Sequence, residues 1–327
     1  MITRIARSPS LRIVGKRLLQ AIPVIWASTF ITFCLLNLLP GSAASALLGE
    51  GATQEDVQRL EQALHLDQSF VVRYLGWLGN ALTGDFGTSF ATSQPVLDVV
   101  ASRTSVSVGL VVSAFVVALL FAIPVAALTA KRPGGIADRI SVVISMGGLS
   151  LPNFVLALVL IFVFAVTLGV APALGYVPFG TDPAGWLQSV TLPVITLAFS
   201  LYCVFSRLLR ADIIDQLLTE DYITTARAKG VHPWMVLVRH ALRNSLFGLL
   251  TVVGLQLGGL IGSTAIIEVV FGIPGLGQEL LRAIANKDIP LVEGIVVAMA
   301  VATIVANLLA DLLYAVLDPR VRHDART

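Results

Sequence analysis

The hydroxyl of Ser150, set in the string GGLSLP, would serve as a nucleophile if a histidine lay at the same depth to take its proton. None does. His65, His232, His240 and His323 fall in polar connectors or the C-terminal tail, and their scatter offers no ligand spacing for a structural metal. Cys34 and Cys203 sit in separate apolar blocks, where they read as small buried hydrophobes rather than a disulfide pair. Glu268, Glu293 and Asp311 lie near the ends of apolar segments and read as interfacial or capping groups, not as a proton relay. The string Gly15-Lys16-Arg17 lacks the preceding glycine and the following hydroxyl of a phosphate loop. The chemistry-bearing residues do not converge, so the chain reads as neither an enzyme nor a holder of its own cofactor or metal.

Polar and small residues inside one apolar block are more informative. Gly254, Gly258 and Gly262 recur every fourth residue and would open one helix face for close approach by another helix. Gln256, Gly259 and Ser263 form a second stripe at helical spacing. It could line a route for a polar solute, or make hydrogen bonds between helices.

The elements that must carry these residues are membrane spans. Of 327 residues, 56% are hydrophobic and 13% charged, with a mean hydropathy of +0.86, whereas soluble domains average about 25% charged residues. The apolar excess arrives in long blocks, and a bilayer core about 30 Å thick needs roughly 20 helical residues to cross it. Six blocks qualify: Leu18 to Leu39, Val106 to Thr129, Ile140 to Leu168, Val190 to Leu209, Leu246 to Val270 and Pro290 to Leu317. The expected fold class is an all-α membrane protein with six transmembrane helices.

Charge orients them. Arg4, Arg7, Arg12, Lys16 and Arg17 precede the first block, and Lys131, Arg132 and Arg139 separate the second from the third. On the same side fall Arg207, Arg210, Arg227, Lys229, Arg239 and Arg243, then Arg320, Arg322 and Arg326. Only Arg59, Arg73, Arg103, Arg282 and Lys287 lie opposite. The positive-inside rule then places both termini in the cytoplasm, with residues 1–17 as a cytoplasmic lead and 18–327 as one membrane domain. A cleaved signal peptide ending near Ala44-Ser45-Ala46 is the competing reading. The 22-residue apolar stretch exceeds the 7–15 of a signal core, which favours a retained helix. The formal charge of +2 gives no reason to expect nucleic acid as a partner.

Two connectors are long enough to fold. The outer one, 40–103, contains two amphipathic stretches, Gln54 to Leu66 and Phe70 to Leu82, then a loop from Gly84 through Pro95. It is expected to form a small helical cap over the outer mouth, or an interfacial helix pair without a partner. The inner one, 210–244, is centred on EDYITTARAKGVHPWMVLVRHALRNSL. It reads as helix, turn, helix: Thr219 can cap the first helix, Gly230 can take the left-handed position ending it, and Pro233 suits the first turn of the next. The small residues Thr224, Thr225, Ala226 and Ala228 suit a helix seated in another protein's groove. Arg227, Lys229, Arg239 and Arg243 equally suit an amphipathic helix on lipid headgroups.

This connector resembles the cytoplasmic coupling loop of binding-protein-dependent ABC importer permeases, whose pattern is Glu-Ala-Ala, three residues, Gly, then Ile-x-Leu-Pro. Thr224-Thr225-Ala226 and Gly230 occupy the first part, while His240, Leu242 and Arg243 stand at the second. TARAKG followed by HALRN is similar to the dipeptide, oligopeptide and nickel branch. So are GDFGTSF (Gly84 to Phe90), FGIPGLG (Phe271 to Gly277), NLLADLLYAVLDPR (Asn307 to Arg320) and the PGS at Pro40. The long outer connector is like that of the B-type subunit.

The resemblance implies a type I importer permease fold in the cell membrane and half of a translocation pathway for peptides. It implies three kinds of partner: a second homologous permease, an extracytoplasmic binding protein, and cytoplasmic ATPases carrying ATP and Mg. Asp221, Tyr222, Thr224, Thr225, Ala226, Arg227, Ala228, Lys229 and Gly230 would meet the ATPases. Nickel or another small solute is the alternative cargo. A secondary transporter is the alternative class, but the repeated halves, broken helices and midplane charges common there are not evident. The topology predicts that single cysteines at Thr53, Asp182 and Asn286, in a background lacking Cys34 and Cys203, react with an impermeant thiol reagent on intact cells. Cysteines at Gly134 and Ala325 should not; the reverse pattern would invert the orientation.

Overall fold

The computed structural model describes residues 9–38, 43–49 and 52–317. The basic residues Arg4, Arg7, Arg320, Arg322 and Arg326, together with His323, Ala325 and the turn at Pro40, lie outside the described residues.

The described chain is helical. In order come α1 (Pro9–Leu38), α2 (Ala43–Leu48), α3 (Gln54–Ala63), α4 (Phe70–Leu82), α5 (Val96–Ala130), α6 (Ile136–Ser150) and α7 (Asn153–Leu160), which continues through a π-helical turn, Ile161–Thr167. Then follow α8 (Pro183–Thr219), α9 (Asp221–Ala228) and α10 (Pro233–Met235). A second π-helical turn, Val236–Leu242, leads from α10 into α11 (Arg243–Phe271), and α12 (Leu276–Ala285) and α13 (Ile289–Leu317) end the described chain. Among the described residues, five helical segments are long and apolar enough to cross a membrane alone, and the count reaches seven if two bent pairs are each taken as one span.

The third expected span is corrected. Instead of one helix from Ile140 to Leu168, α6 stops at Ser150 and α7 leaves at 107°. Pro152 is the cause: it lacks an N–H, and its ring pushes Leu151 out of helical geometry, to ψ 119°. Broken helices are therefore present after all. The fourth span is longer than expected, because α8 continues past Leu209 for another ten residues to Thr219.

The chain divides into two compact units. Of the described residues, the first comprises 9–15, Gly109–Ile273 and 305–317. Its α8 packs against α6, α7 and α11, burying Leu197, Leu201, Phe205, Leu209 and Ile213. Small residues set the spacing. On α5, Ala114, Ala118, Ala122, Ala126 and Ala130 form a buried ridge, beside which the rings of Phe115 and Phe205 meet at 6.0 Å. On α6, Gly148 lies under Cys203 and Phe199 so closely that a Cβ there would come within 2.5 Å of the thiol sulfur.

One charged contact fastens this unit. Arg210 on α8 makes a bidentate pair with Asp138 on α6, its Nη2 donating at 2.7 Å and its Nε also donating. Asp138 accepts in addition the Gly134 N–H at 2.7 Å and is 4% exposed.

The second unit comprises Lys16–Val108 and Pro274–Ile304. Its core gathers Leu36 of α1, Val96, Val99 and Val100 of α5, Leu276 and Ala283 of α12, and Leu291, Val292 and Ile295 of α13. Asp288 organises the loop before α5. Its Oδ2 accepts the Ser89 hydroxyl at 2.5 Å and the Ala91 N–H at 3.2 Å, and its Oδ1 accepts the Phe90 N–H at 3.1 Å and the Leu291 N–H at 3.3 Å.

Two carboxylates expected at interfaces are fully buried. Glu268 and Glu293 are both 0% exposed, and neither oxygen of Glu293 has a hydrogen-bond partner among the described residues. Beside Glu293, Gly294 lets the Val96 side chain come against the α13 backbone, which closes the surface there.

The Asp138–Arg210 pair yields a stability prediction. Asp138→Ala leaves a guanidinium with little solvent and an unpaired Gly134 N–H, which should cost about 3–5 kcal/mol. Asp138→Ala with Arg210→Met removes both charges and should recover most of that loss. Thermal unfolding of the detergent-solubilised protein checks it; equal losses in the single and double variants would refute the pairing.

Candidate functional site

Site formation begins with how the chain leaves α8. Glu220 is extended, at ψ 127°, and separates α8 from α9 by one residue. Thr219 does not cap α9: α8 runs through it, and its hydroxyl donates back to the Asp215 carbonyl at 2.8 Å. A threonine inside a helix has that carbonyl one turn behind it within easy reach, so its hydroxyl is already occupied.

The end of α9 matches expectation in detail. Gly230 is left-handed, at φ 73°, the Gly230 N–H donates to the Arg227 carbonyl at 3.0 Å, and the Val231 N–H donates to the Ala226 carbonyl at 3.2 Å. These two bonds form a Schellman motif, which satisfies carbonyls the helix end would leave open. Pro233 occupies the first turn of α10, and His232 caps that turn, its Nδ1 accepting the Trp234 N–H at 3.3 Å. The Lys131 ammonium lies 5.6 Å from the centre of the Trp234 ring, tying the connector between α5 and α6 to the same corner.

The faces of α9 are sorted differently from expectation. Ile223 and Ala226 are buried against the chain itself, at 0% and 8% exposure. Asp221, Thr224, Thr225, Arg227, Ala228, Lys229 and Gly230 are exposed. Ala226 is thus corrected from an outward docking position to an inward packing one. The outward surface is a patch of Thr224, Thr225 and Ala228 with an acid at the helix N-terminus and bases at its C-terminus, the arrangement the helix dipole favours.

Tyr222 joins this helix to the spans. Its hydroxyl donates to the Gln216 side-chain oxygen on α8 and accepts the Asn244 amide of α11 at 2.8 Å. One oxygen therefore contacts the end of one long helix and the start of another. Nothing local in the sequence announces it, since Asn244 lies 22 residues from Tyr222.

The two stripes of α11 fare differently. Gly254 is packed: a Cβ there would sit 2.6 Å from that of Ala310 on α13. Gly258 is half-buried, and Gly262 is exposed with nothing within 4 Å of a Cβ placed there, so Gly254 serves close approach inside this chain and Gly262 does not. Gln256 is half-buried, and Gly259 and Ser263 are exposed on a face the chain leaves uncovered, beside the apolar Leu255 and Ile266. The Ser263 hydroxyl donates to the Leu260 carbonyl at 3.1 Å. Among the described residues, no three His, Cys, Asp or Glu side chains cluster closely enough to hold a metal.

Comparison with known proteins gives this geometry its context. Residues 118–323 match the binding-protein-dependent transport system inner membrane component, and residues 10–111 match the N-terminal region of such membrane components. A putative peptide transport system permease protein of Brucella abortus is 39% identical over 312 residues, covering 95% of this chain and 99% of that one. A glutathione transport system permease protein of Escherichia coli K12 is 35% identical over 313 residues, covering 96% and 99%. Matches of this extent over both halves of the sequence leave one assignment: the chain belongs to the family of binding-protein-dependent transport system inner membrane components.

Proposed function

We propose that this chain is one permease half of an ATP-driven importer for di- or oligopeptides. An extracytoplasmic binding protein delivers the solute, and a second permease completes the pathway. ATP is hydrolysed on partner ATPases that dock against the exposed face of α9, and this chain itself hydrolyses nothing. The positive bias of the connectors supports placing α9 and both termini in the cytoplasm. Peptide is the favoured cargo because one of the relatives is named for peptide transport and another for glutathione, itself a peptide.

The observation that carries the reading is the Tyr222 contact. A short helix with an outward patch of small side chains is held from behind by a hydroxyl shared between α8 and α11. A push on α9 therefore reaches two long helices at once. Asp221 to Gly230 form the docking element, with Tyr222 as its link to the spans and Ala226 as inner packing. On α11, exposed Gly259 and Ser263 with Gln256 are the positions offered to the solute route, and Gly258 and Gly262 those offered to the partner permease.

Substitutions at two positions test this in proteoliposomes holding both permeases, the ATPases and the binding protein, with labelled di- and tripeptides as cargo. Gly230 has open space around it, so substitution there acts through the backbone alone. Forcing a β-branched residue to φ 73° costs roughly 1–2 kcal/mol. Gly230→Val should reduce uptake about tenfold while Gly230→Asn stays within about twofold of wild type; equal rates for all three would remove the turn from the mechanism.

Tyr222→Phe keeps the ring and loses both hydrogen bonds. Peptide taken up per ATP hydrolysed should fall about fivefold, the scale of one net hydrogen bond, with the complex intact on size exclusion. An unchanged ratio would show that Tyr222 transmits nothing.

A further inference from the structure

The two longer helices between α1 and α5 have opposite characters. α3 carries Glu55, Asp56, Arg59 and Glu61 and buries no residue, as a helix in water should. α4 is apolar on both sides. Phe70, Tyr74 and Trp77 line one side, and Val71, Val72, Leu75 and Leu82 line the other, exposed by 59%, 56%, 58% and 82%. Only a narrow stripe of Arg73, Gly76 and Asn80 interrupts the apolar surface, and two apolar sides of this extent belong in a core or in lipid.

Contacts with α1 fix its depth. The Tyr74 ring lies 5.4 Å from both Phe30 and Phe33, and the Phe70 ring lies 6.1 and 5.1 Å from the same pair. The Tyr74 hydroxyl is 3.1 Å from the Thr29 hydroxyl and donates to the Trp26 carbonyl at 3.5 Å. These partners sit inside the 20-residue apolar stretch Leu19–Leu38. Thr29 lies nine residues below Leu38, or about 14 Å at the helical rise, against a hydrocarbon core about 30 Å thick. The buried face of α4 therefore meets α1 well below the membrane surface.

Arg73, the one charged residue of α4, behaves as a cation at that depth must. Its Nη1 donates to the Asn37 side-chain oxygen at 3.2 Å, toward the Leu38 end, and its guanidinium lies 5.6 Å from the centre of the Phe33 ring. Asn37 is steadied by donating to the Phe33 carbonyl at 2.7 Å. The half-buried Arg73 thus lies against α1 with its charge led toward the Leu38 end, which is snorkelling.

We propose that α4 is immersed in the leaflet at the Leu38 end of α1, with Val71, Val72, Leu75 and Leu82 against lipid acyl chains, while α3 stays in water. This replaces the expected helical cap over the mouth with one aqueous helix and one lipid-embedded helix. It depends on α1 spanning the membrane and on nothing about cargo or ATPases.

The test places nitroxide labels on single cysteines at Val72 and Leu75, with Glu61 on α3 as the aqueous reference, in the assembled transporter in lipid nanodiscs without Cys34 and Cys203. Power-saturation spectra compare accessibility to oxygen, which partitions into lipid, with accessibility to a water-soluble nickel chelate. Labels at Val72 and Leu75 should be several-fold more accessible to oxygen than to the chelate, and the Glu61 label the reverse. Chelate-dominated spectra at both α4 sites would restore the aqueous cap. Low accessibility to both reagents would mean a partner subunit covers α4; either result overturns the proposal. Val71 serves as a replacement site if a label prevents assembly.

Discussion

A peptide N–H or C=O left facing hydrocarbon has no water to bond, at a cost of several kcal/mol, so every break in helix must satisfy its own backbone. The structure follows from how these breaks are made. At Pro152 the chain turns where a donor is already missing. At Gly230, and again at Gly272, a left-handed glycine folds the chain back so that two N–H groups reach carbonyls of the last turn. The Gly272 N–H reaches Val269, and that of Ile273 reaches Glu268. Before α13, the carboxylate of Asp288 takes three N–H groups that no helix claims. The devices at Pro152, Gly230 and Gly272 are local, whereas Asp288 reaches Phe90 and Ala91 across the chain, so most of the long helices between breaks remain free to pack by shape.

Packing by shape then buries a few carboxylates and hydroxyls and leaves their partners only partly exposed. Asp138 and Arg210 neutralise each other, Arg103 and Glu279 meet at 3.1 Å, and Ser145 and Ser206 share a hydrogen bond at 3.2 Å. A misplaced neighbour would strand a charge, so these pairs select one arrangement among the many that interlocking alanine and glycine ridges would allow.

Much of this was legible in the chain, and the boundary of legibility is physical. Apolar blocks of about 20 residues, Gly230 and Pro233 carry their meaning locally, because lipid thickness and backbone angle are fixed. Tyr222 with Asn244, Arg210 with Asp138, and Ser89 with Asp288 across 199 residues meet only through tertiary packing, which spacing does not encode. Ala226 was misread because a small residue suits an inward face as well as an outward one. The clue was Ile223, three residues earlier on the same face and too apolar to face water. The bend after Ser150 was hidden by its setting, since apolar residues on both sides of Pro152 extend the hydropathy signal straight across it.

The ion pair on α8 also has a mechanical meaning. Arg210, fastened to Asp138, lies six residues from Gln216, where Tyr222 takes hold, and seventeen from Pro193, as far as α8 is free of proline. At 1.5 Å per residue these distances are about 9 Å and about 26 Å. The fastening thus divides the helix as a fulcrum divides an unequal beam. Were α8 to pivot there as a rigid rod, a displacement of about 1 Å at Gln216 would become about 3 Å in the opposite direction at Pro193, three residues from the start of the apolar block Val190 to Leu209.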